Sequence, residues 1–414
     1  MKLLVAIPAL NEEDSISSVI QRALNARADL IARTAVTAVE ITVVSDGSTD
    51  RTVERASAFG AAINLIVFDR NRGYGAAIME AWRRSDAELL GFLDADGTCD
   101  PRAFVKLCAA ILDEGADLAL GSRVHASSRM PLVRRLGNAV FAAMLTVLGS
   151  RRVNDSASGM RVVRRECLQA LMPLPDGLHF TPAMSARAIL AGGIKVAEIE
   201  IPYEERTGRS KLRPIRDAWR FARVILTAAI LYRPSRPLGI LAIAAFASAI
   251  FWTGRLAWQY QRFGTFELWM IYHFVVIQLS TTAGLLLMTA GYLGRKAVRI
   301  ALSGQADRTP FGPVGAFLSH RAFWLAPIGL VVLGTLAIAP AAVDYIRTAH
   351  IDPAAHHWSR FFAMSFAFSL AFILTSMRLI DITLDLLADR LMFLKSGVAI
   401  SSDTASRQSP GSAA

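Results

Sequence analysis

Four apolar blocks in the second half of the chain, Leu238–Tyr260, Leu268–Leu293, Phe323–Ile346 and Phe361–Ile380, set the tightest limit on what it can fold into. Each is close to the ~20 residues that a helix needs to cross ~30 Å of hydrocarbon. Lipid offers no partner to an unpaired backbone N–H or C=O, so such blocks enter a bilayer as helices. Four in succession predict a transmembrane domain over 237–395, followed by a small, polar, disordered tail at 396–414. They also account for a mean hydropathy of +0.38 and a hydrophobic fraction of 53%, both high for a water-soluble protein.

The loops between the blocks differ in charge. Arg233 and Arg236 precede the first block, and Arg295, Lys296, Arg299, Arg308 and Arg321 lie between the second and third. Arg390 and Lys395 follow the fourth, whereas the opposite loops carry mainly Arg262 and Glu267, then Arg347, Asp352 and Arg360. The positive-inside bias places both termini in the cytoplasm, on a cell (inner) membrane. The chain begins with a short strand, Met1–Pro8, and not with a cleaved leader, so the first domain is expected to stay cytoplasmic too. A net charge of +11 raises the question of nucleic acid. The basic residues gather beside the spans without interleaved aromatics, so anionic membrane lipids are the expected partner and nucleic acid is not. Cys99, Cys108 and Cys167 have no metal-ligand spacing and read as reduced thiols. Ionisable residues are sparse in the spans, with Arg255, Asp344 and Arg378 near their ends, and nothing there reads as an ion pathway. Contacts between spans leave a homo-oligomer open.

Residues 1–212 read differently, as strands alternating with helices. Strands are expected at Leu3–Ile7, Glu40–Val44, Asn64–Phe68, Leu89–Leu93 and Leu118–Leu120. Helices are expected at Glu12–Ala26 with Asn11 as N-cap, from about Arg51, at Gly73–Ser85 and at Pro101–Asp113. Such alternation means an α/β fold, a mostly parallel Rossmann-like sheet covered by helices, which binds ligands beyond the carboxyl ends of its strands. Pro8–Glu12, Asp46 and Asp94-Ala95-Asp96 all fall at that edge. The Asp pair directly follows the apolar run Leu89–Leu93, and residues i and i+2 of a strand share a face, so both carboxylates are expected to reach one divalent cation.

Seven ordered stretches then carry a resemblance. They are Ile7–Glu12, Val44–Asp50, Asn71–Ala77, Leu93–Gly97, Gly121–Arg123, Asn154–Arg161 and Arg206–Leu212. Together they resemble the family 2 inverting glycosyltransferases, and within them the polyprenyl-phosphate sugar transferases of the dolichol-phosphate mannose synthase type. The resemblance implies a GT-A fold over 1–212, a nucleotide-sugar donor of the UDP-glucose or GDP-mannose type, and a polyprenyl-phosphate acceptor. It implies that Pro8, Asn11, Glu12, Asp46, Gly73 and Asp94 bind the donor nucleotide. Asp96 is then the direct ligand of Mg²⁺ or Mn²⁺, with Asp94 nearer the ribose or sugar. Arg123, Arg134, Arg206, Ser210 and Lys211 would take the acceptor phosphate, since guanidinium grips phosphate bidentately. Asp94, Asp96, Arg123 and Asp155 would form the reacting centre.

This chain departs from the family pattern at Ser45, where relatives carry a second Asp, and at Thr98, where they often carry a metal-binding Gln. Another departure is Ala183, near which relatives often have a Glu. A sugar hydroxyl acceptor needs such a base, but a phosphate is already anionic at neutral pH. The sequence therefore fits a lipid-phosphate acceptor, and His179 reads as a structural residue or a substrate contact in preference to a base. Between the two domains, 213–236 reads as an amphipathic interfacial helix and linker. Ile215, Trp219, Ala222, Leu226, Ala229 and Ile230 recur at helical spacing beside Arg213, Arg216, Arg220 and Arg223. Two other functions would leave other marks in the sequence. A processive polysaccharide synthase would show a Gln-x-x-Arg-Trp-type motif, and a nucleotide-binding transporter or flippase would show plentiful intramembrane polar residues.

Overall fold

In a computed structural model, residues 1–124, 132–149, 153–204, 206, 214–303, 312–351 and 356–406 are described. The chain divides into two units, Met1–Arg233 and Pro234–Ala414. The first unit contains β1 (Lys2–Ala9), α1 (Ile16–Arg33), β2 (Ala38–Ser45), α2 (Thr52–Ser57), β3 (Asn64–Val67), α3 (Tyr74–Arg84) and β4 (Leu89–Leu93). It continues through α4 (Phe104–Leu112), β5 (Leu118–Ser122), α5 (Leu132–Leu148), β6 (Met160–Arg164), α6 (Leu168–Leu171), α7 (Phe180–Ala191), β7 (Val196–Glu200) and α8 (Pro214–Tyr232).

The seven strands form one sheet in the order β3-β2-β1-β4-β6-β5-β7. All pairings are parallel except those of β6, which runs antiparallel to β4 and β5. The mostly parallel α/β expectation therefore holds. Strand alternation sorts β1 between two cores: Leu4 and Ala6 enter one, Leu3, Val5 and Ile7 the other. Pro8 is tolerated in this central strand because the β1–β4 ladder ends at Ala6–Phe92, leaving no bond there for the missing N–H. Beneath the carboxyl edge, Tyr74, Trp82, Phe92 and Phe180 pack with ring centroids 5.8–6.4 Å apart, edge-on except for the tilted Trp82–Phe92 pair.

The structure moves several boundaries. Helix α1 starts at Ile16, four residues after the expected start, because Asn11 sits in a left-handed turn (φ 49°) with its side chain accepting from Thr49 N at 2.8 Å. The first unit also extends to Arg233, past the expected boundary at 212, because α8 packs into its core through Phe221, Ile225, Ala228 and Ala229. The opposite face of α8 is the predicted apolar stripe. Ile215, Trp219, Leu226 and Ile230 on it are exposed, while Ala229 turns inward.

The second unit contains α9 (Ser235–Phe263), α10 (Ile271–Ser303), α11 (Gly312–Ser319), α12 (Leu325–Thr348) and α13 (Ser359–Ser406). Four stretches, Ser235–Phe263, Leu268–Ala301, Leu325–Thr348 and Ser359–Leu391, are long and apolar enough to cross a membrane, matching the four expected blocks. Helix α13 runs to Ser406, past residue 396 where the tail was expected to begin, since no proline interrupts that segment. Asp381 is buried between α10 and α13, where Lys296 and Tyr292 (3.1 Å) donate to its Oδ1 and Arg378 to its Oδ2 at 2.8 Å. The sequence reading missed this cluster because Lys296 and Asp381 lie 85 residues apart.

Candidate active site

The carboxyl ends of β1, β2 and β4 converge on one edge, and short side chains lace their loops together. Asn11 N donates to Ser48 Oγ (3.1 Å) and Glu12 N to Thr52 Oγ1 (2.8 Å). Asp46, buried after β2, accepts from the amides of Arg72 (2.6 Å) and Gly73 (3.0 Å), fixing the turn into α3. Burial pushes the Asp46 carboxyl above the usual carboxylate range, and those two amides oppose the shift. Gly73 has φ 113°, and a Cβ there would lie 2.4 Å from Asp176 O. Its close approach is thus to the chain's own loop, whereas the sequence reading assigned it to a nucleotide.

Asp94 and Asp96 do not share a partner. The triplet lies beyond the end of β4 in a turn, so strand alternation no longer aligns the two side chains. Asp94 Oδ1 accepts from Tyr74 Oη at 2.6 Å. On its other side stands Gly159, where an added Cβ would fall 1.7 Å from Asp94 Oδ2. Burial, helped by the Asp96 charge, pushes the Asp94 carboxyl up to about 7. Burial and Asp94 also hold the Tyr74 phenol well above its usual range, so it stays a donor. If this edge carries the sugar transfer that the resemblance implies, a Gly159→Ala variant, in which this carboxylate is pushed out of place, is expected to lower its turnover about 10²-fold. Turnover of the folded variant checks this, and an unchanged rate would show that the placement of Asp94 is immaterial.

Asp96 is engaged through both oxygens. Oδ1 accepts from Thr98 N (3.1 Å) and Thr98 Oγ1 (2.7 Å), and Oδ2 accepts from Arg206 Nη1 (3.0 Å). The second arm of Arg206, Nη2, donates to Glu12 Oε1 at 2.8 Å. The structure therefore seats Arg206 between Asp96 and Glu12, two carboxylates that the resemblance assigns to the donor side; the sequence reading assigned Arg206 to the acceptor phosphate. Among the described residues no group of three or more His, Cys, Asp or Glu forms a metal cluster. The donor set fits a hard divalent cation of the Mg²⁺ type, which takes one or two carboxylates and completes its shell with phosphate and water.

Arg123, just past β5, clasps Asp155 with its backbone N (3.0 Å), Nε (2.8 Å) and Nη2 (3.1 Å). Asp155 is fully buried, which alone would raise its pKa, yet the Arg123 guanidinium holds it below the usual range. The loop carrying it is anchored from beneath by Arg161, fully buried in β6, whose Nε and Nη2 donate to Ser158 O (3.1 Å) and Ser156 O (2.9 Å). Burial lowers the Arg161 pKa to about 10. The sequence reading gave no role to Tyr74 or Arg161, although both lie in the quoted motifs. An arginine alternating with apolar neighbours in Met160–Val163 is the signal that was available. The side chain of Arg134, together with Ser210 and Lys211, lies outside the described residues.

Comparison with known proteins bears on this geometry. Residues 4–172 match the family model "Glycosyl transferase family 2". A dolichyl-phosphate hexose transferase of Haloferax volcanii is 32% identical over 221 residues, which cover 51% of this chain and 87% of that one. The chain belongs to glycosyl transferase family 2. Another similar protein is the low-salt glycan biosynthesis hexosyltransferase Agl6 of the same organism, 33% identical over 61% of this chain and 60% of its own length. Among solved structures, glucosyl-3-phosphoglycerate synthase from Mycobacterium tuberculosis aligns at 24% identity and a TM-score of 0.41, over 55% of this chain and 78% of that one. In this family 2 transferase, all the quoted motifs up to Arg161 fall within the matched segment.

Proposed function

We propose that this family 2 transferase moves a single hexose from a nucleotide sugar to a polyprenyl phosphate at the cytoplasmic membrane face, with inversion. The observation that carries the reading is a carboxylate pair, Asp94 and Asp96, at the edge of the sheet, beside the Arg123 and Arg206 guanidinium groups, in a chain that continues into four spanning helices. The name of the dolichyl-phosphate hexose transferase relative agrees with it.

Asp94, held between Tyr74 and Gly159, would accept from a sugar or ribose hydroxyl of the donor. Glu12, Asn11 and Asp46 shape the nucleotide side. Asp96 would hold Mg²⁺ or Mn²⁺, and such an ion, when bound, offsets charge on the departing nucleoside diphosphate. An acceptor phosphate oxygen attacks the anomeric carbon opposite the leaving group. The new C–O bond forms as the bond to the diphosphate breaks, and the electron pair leaves on the diphosphate oxygen. No proton need be removed, which agrees with Ala183 being buried in an α7 that contains no carboxylate. Arg123 neutralises the attacking phosphate.

The exposed apolar face of α8 supports a lipid acceptor. Ile215 (90% exposed) and Trp219 (72%) stand there beside exposed Arg216 and Arg223, and on α5 Leu136 and Val140 are likewise exposed. Such a face gains by lying among lipid headgroups, with the arginines on anionic lipid. The testing experiment incubates membranes containing the full chain with labelled UDP- and GDP-sugars, polyprenyl phosphate and Mg²⁺ or Mn²⁺. One donor is expected to yield a solvent-extractable lipid-linked monosaccharide. No lipid-linked sugar from any donor would sink the reading.

A further inference from the structure

The fork of Arg206 is the unusual feature of this site. A cationic side chain already occupies one face of the carboxylate that would hold a divalent ion, joined to Asp96 and Glu12 by two charge-assisted bonds. Its side chain is 17% exposed and those of both carboxylates 11%, so the contacts are shielded from water and salt. The remaining guanidinium nitrogen, Nε, is buried and has no hydrogen-bond partner among the described residues. Arg206 therefore keeps an unused donor with which to meet a further acceptor.

We propose that Arg206 is the resident counter-cation of Asp96, holding the place of the divalent ion and making metal binding conditional on the donor diphosphate. The inference rests on the nucleotide-sugar reading above.

Competition for one carboxylate gives the reason. Arg206 already offsets charge on both Asp96 and Glu12. A divalent ion arriving alone adds two positive charges beside that guanidinium while competing with it for Asp96 Oδ2. It also finds Asp96 Oδ1 engaged by Thr98 and no third acidic or imidazole ligand among the described residues. A nucleoside diphosphate changes both terms. It brings the missing oxygen ligands, and its negative charge lets the ion and the guanidinium coexist. Arg206 can then release Asp96 and turn its freed arm, with Nε, onto a phosphate oxygen, for which its planar fork is suited. The same residue that keeps the ion out before the donor arrives would bind the diphosphate afterwards.

Mn²⁺ titration of the solubilised full-length protein, read by the electron paramagnetic resonance of free Mn²⁺ and corrected for Mn²⁺ bound to free nucleotide, tests this. Wild type is expected to bind Mn²⁺ at least about tenfold more tightly with UDP or GDP present than without, the scale of one charge-assisted bond. Arg206→Gln should bind Mn²⁺ without nucleotide about tenfold more tightly than wild type, a gain that mere structural damage would not produce. Arg206→Lys, which keeps the charge, should exclude Mn²⁺ as wild type does. Equal wild-type affinity with and without nucleotide, or no gain in Arg206→Gln, overturns the inference, as does a Lys variant that behaves like Gln. In each of those cases lipid-linked sugar synthesis by wild type would persist. Loss of that synthesis with every donor marks failure of the underlying reading instead.

Discussion

An Asp96→Ala variant is expected to lose sugar transfer by about 10³-fold or more, on the scale of removing a central electrostatic contact at a reacting centre. Thr98 and Arg206 both converge on this carboxylate, and it would be the protein's direct hold on the metal. Alanine, however, also removes the acceptor for Thr98 N and loosens the turn, so its loss alone does not separate charge from shape. Asp96→Asn does. Its carbonyl oxygen still accepts from Thr98, while the charge that would hold a divalent ion is gone. Both variants are therefore expected to fail alike in the membrane assay, with far-ultraviolet circular dichroism unchanged. An Asn variant with wild-type turnover would remove Asp96 from any role as a metal ligand, whatever the alanine variant does.

How much of this was legible beforehand depended on how local each feature is. Runs such as Leu3–Ile7 and Leu89–Leu93 announce buried strands because their neighbours along the chain decide their burial. The four helices long and apolar enough to cross a membrane were readable for the same reason. Strand β6 was not, since Arg161 and Arg164 interrupt its apolar pattern, and its antiparallel entry between β4 and β5 is a matter of topology. At the site, the sequence located Asp94 and Asp96 but not their division of labour. That division follows from the chain leaving β4 at Leu93 and from contacts supplied by Tyr74, Gly159 and Arg206, the last 110 residues away. Asn11 misled the expected start of α1 because its side chain serves the β2 loop across 38 residues. Residue type and spacing named the chemistry; pairing across the fold assigned it.

The other large effect concerns the Arg123–Asp155 pair. Asp155→Ala would cost the Arg123 guanidinium two bonds and its backbone N–H a third in a mostly buried place, a change expected to destabilise the first unit by about 3–5 kcal/mol. The pH dependence has a definite sign. Arg123 holds the folded-state pKa of Asp155 below its ordinary 3.8, so the pair's contribution is present above that value and is lost as pH falls through the lower, folded value. Wild type should therefore lose stability on acidification below about pH 4 more steeply than Asp155→Asn, which has no such proton to take up. Thermal midpoints of the two solubilised proteins between pH 3 and pH 7, with the range set around that carboxylate, check this. Equal slopes would mean that the pair contributes no linked stability. A milder variant probes function. Where Asp155→Asn still folds, Arg123 keeps its charge but loses the partner that fixes its direction. If that direction serves the acceptor phosphate, KM for the polyprenyl phosphate should rise while that for the nucleotide sugar stays put. A variant with both constants unchanged would confine the pair to holding the loop, and the acceptor phosphate would then have to be met by other residues.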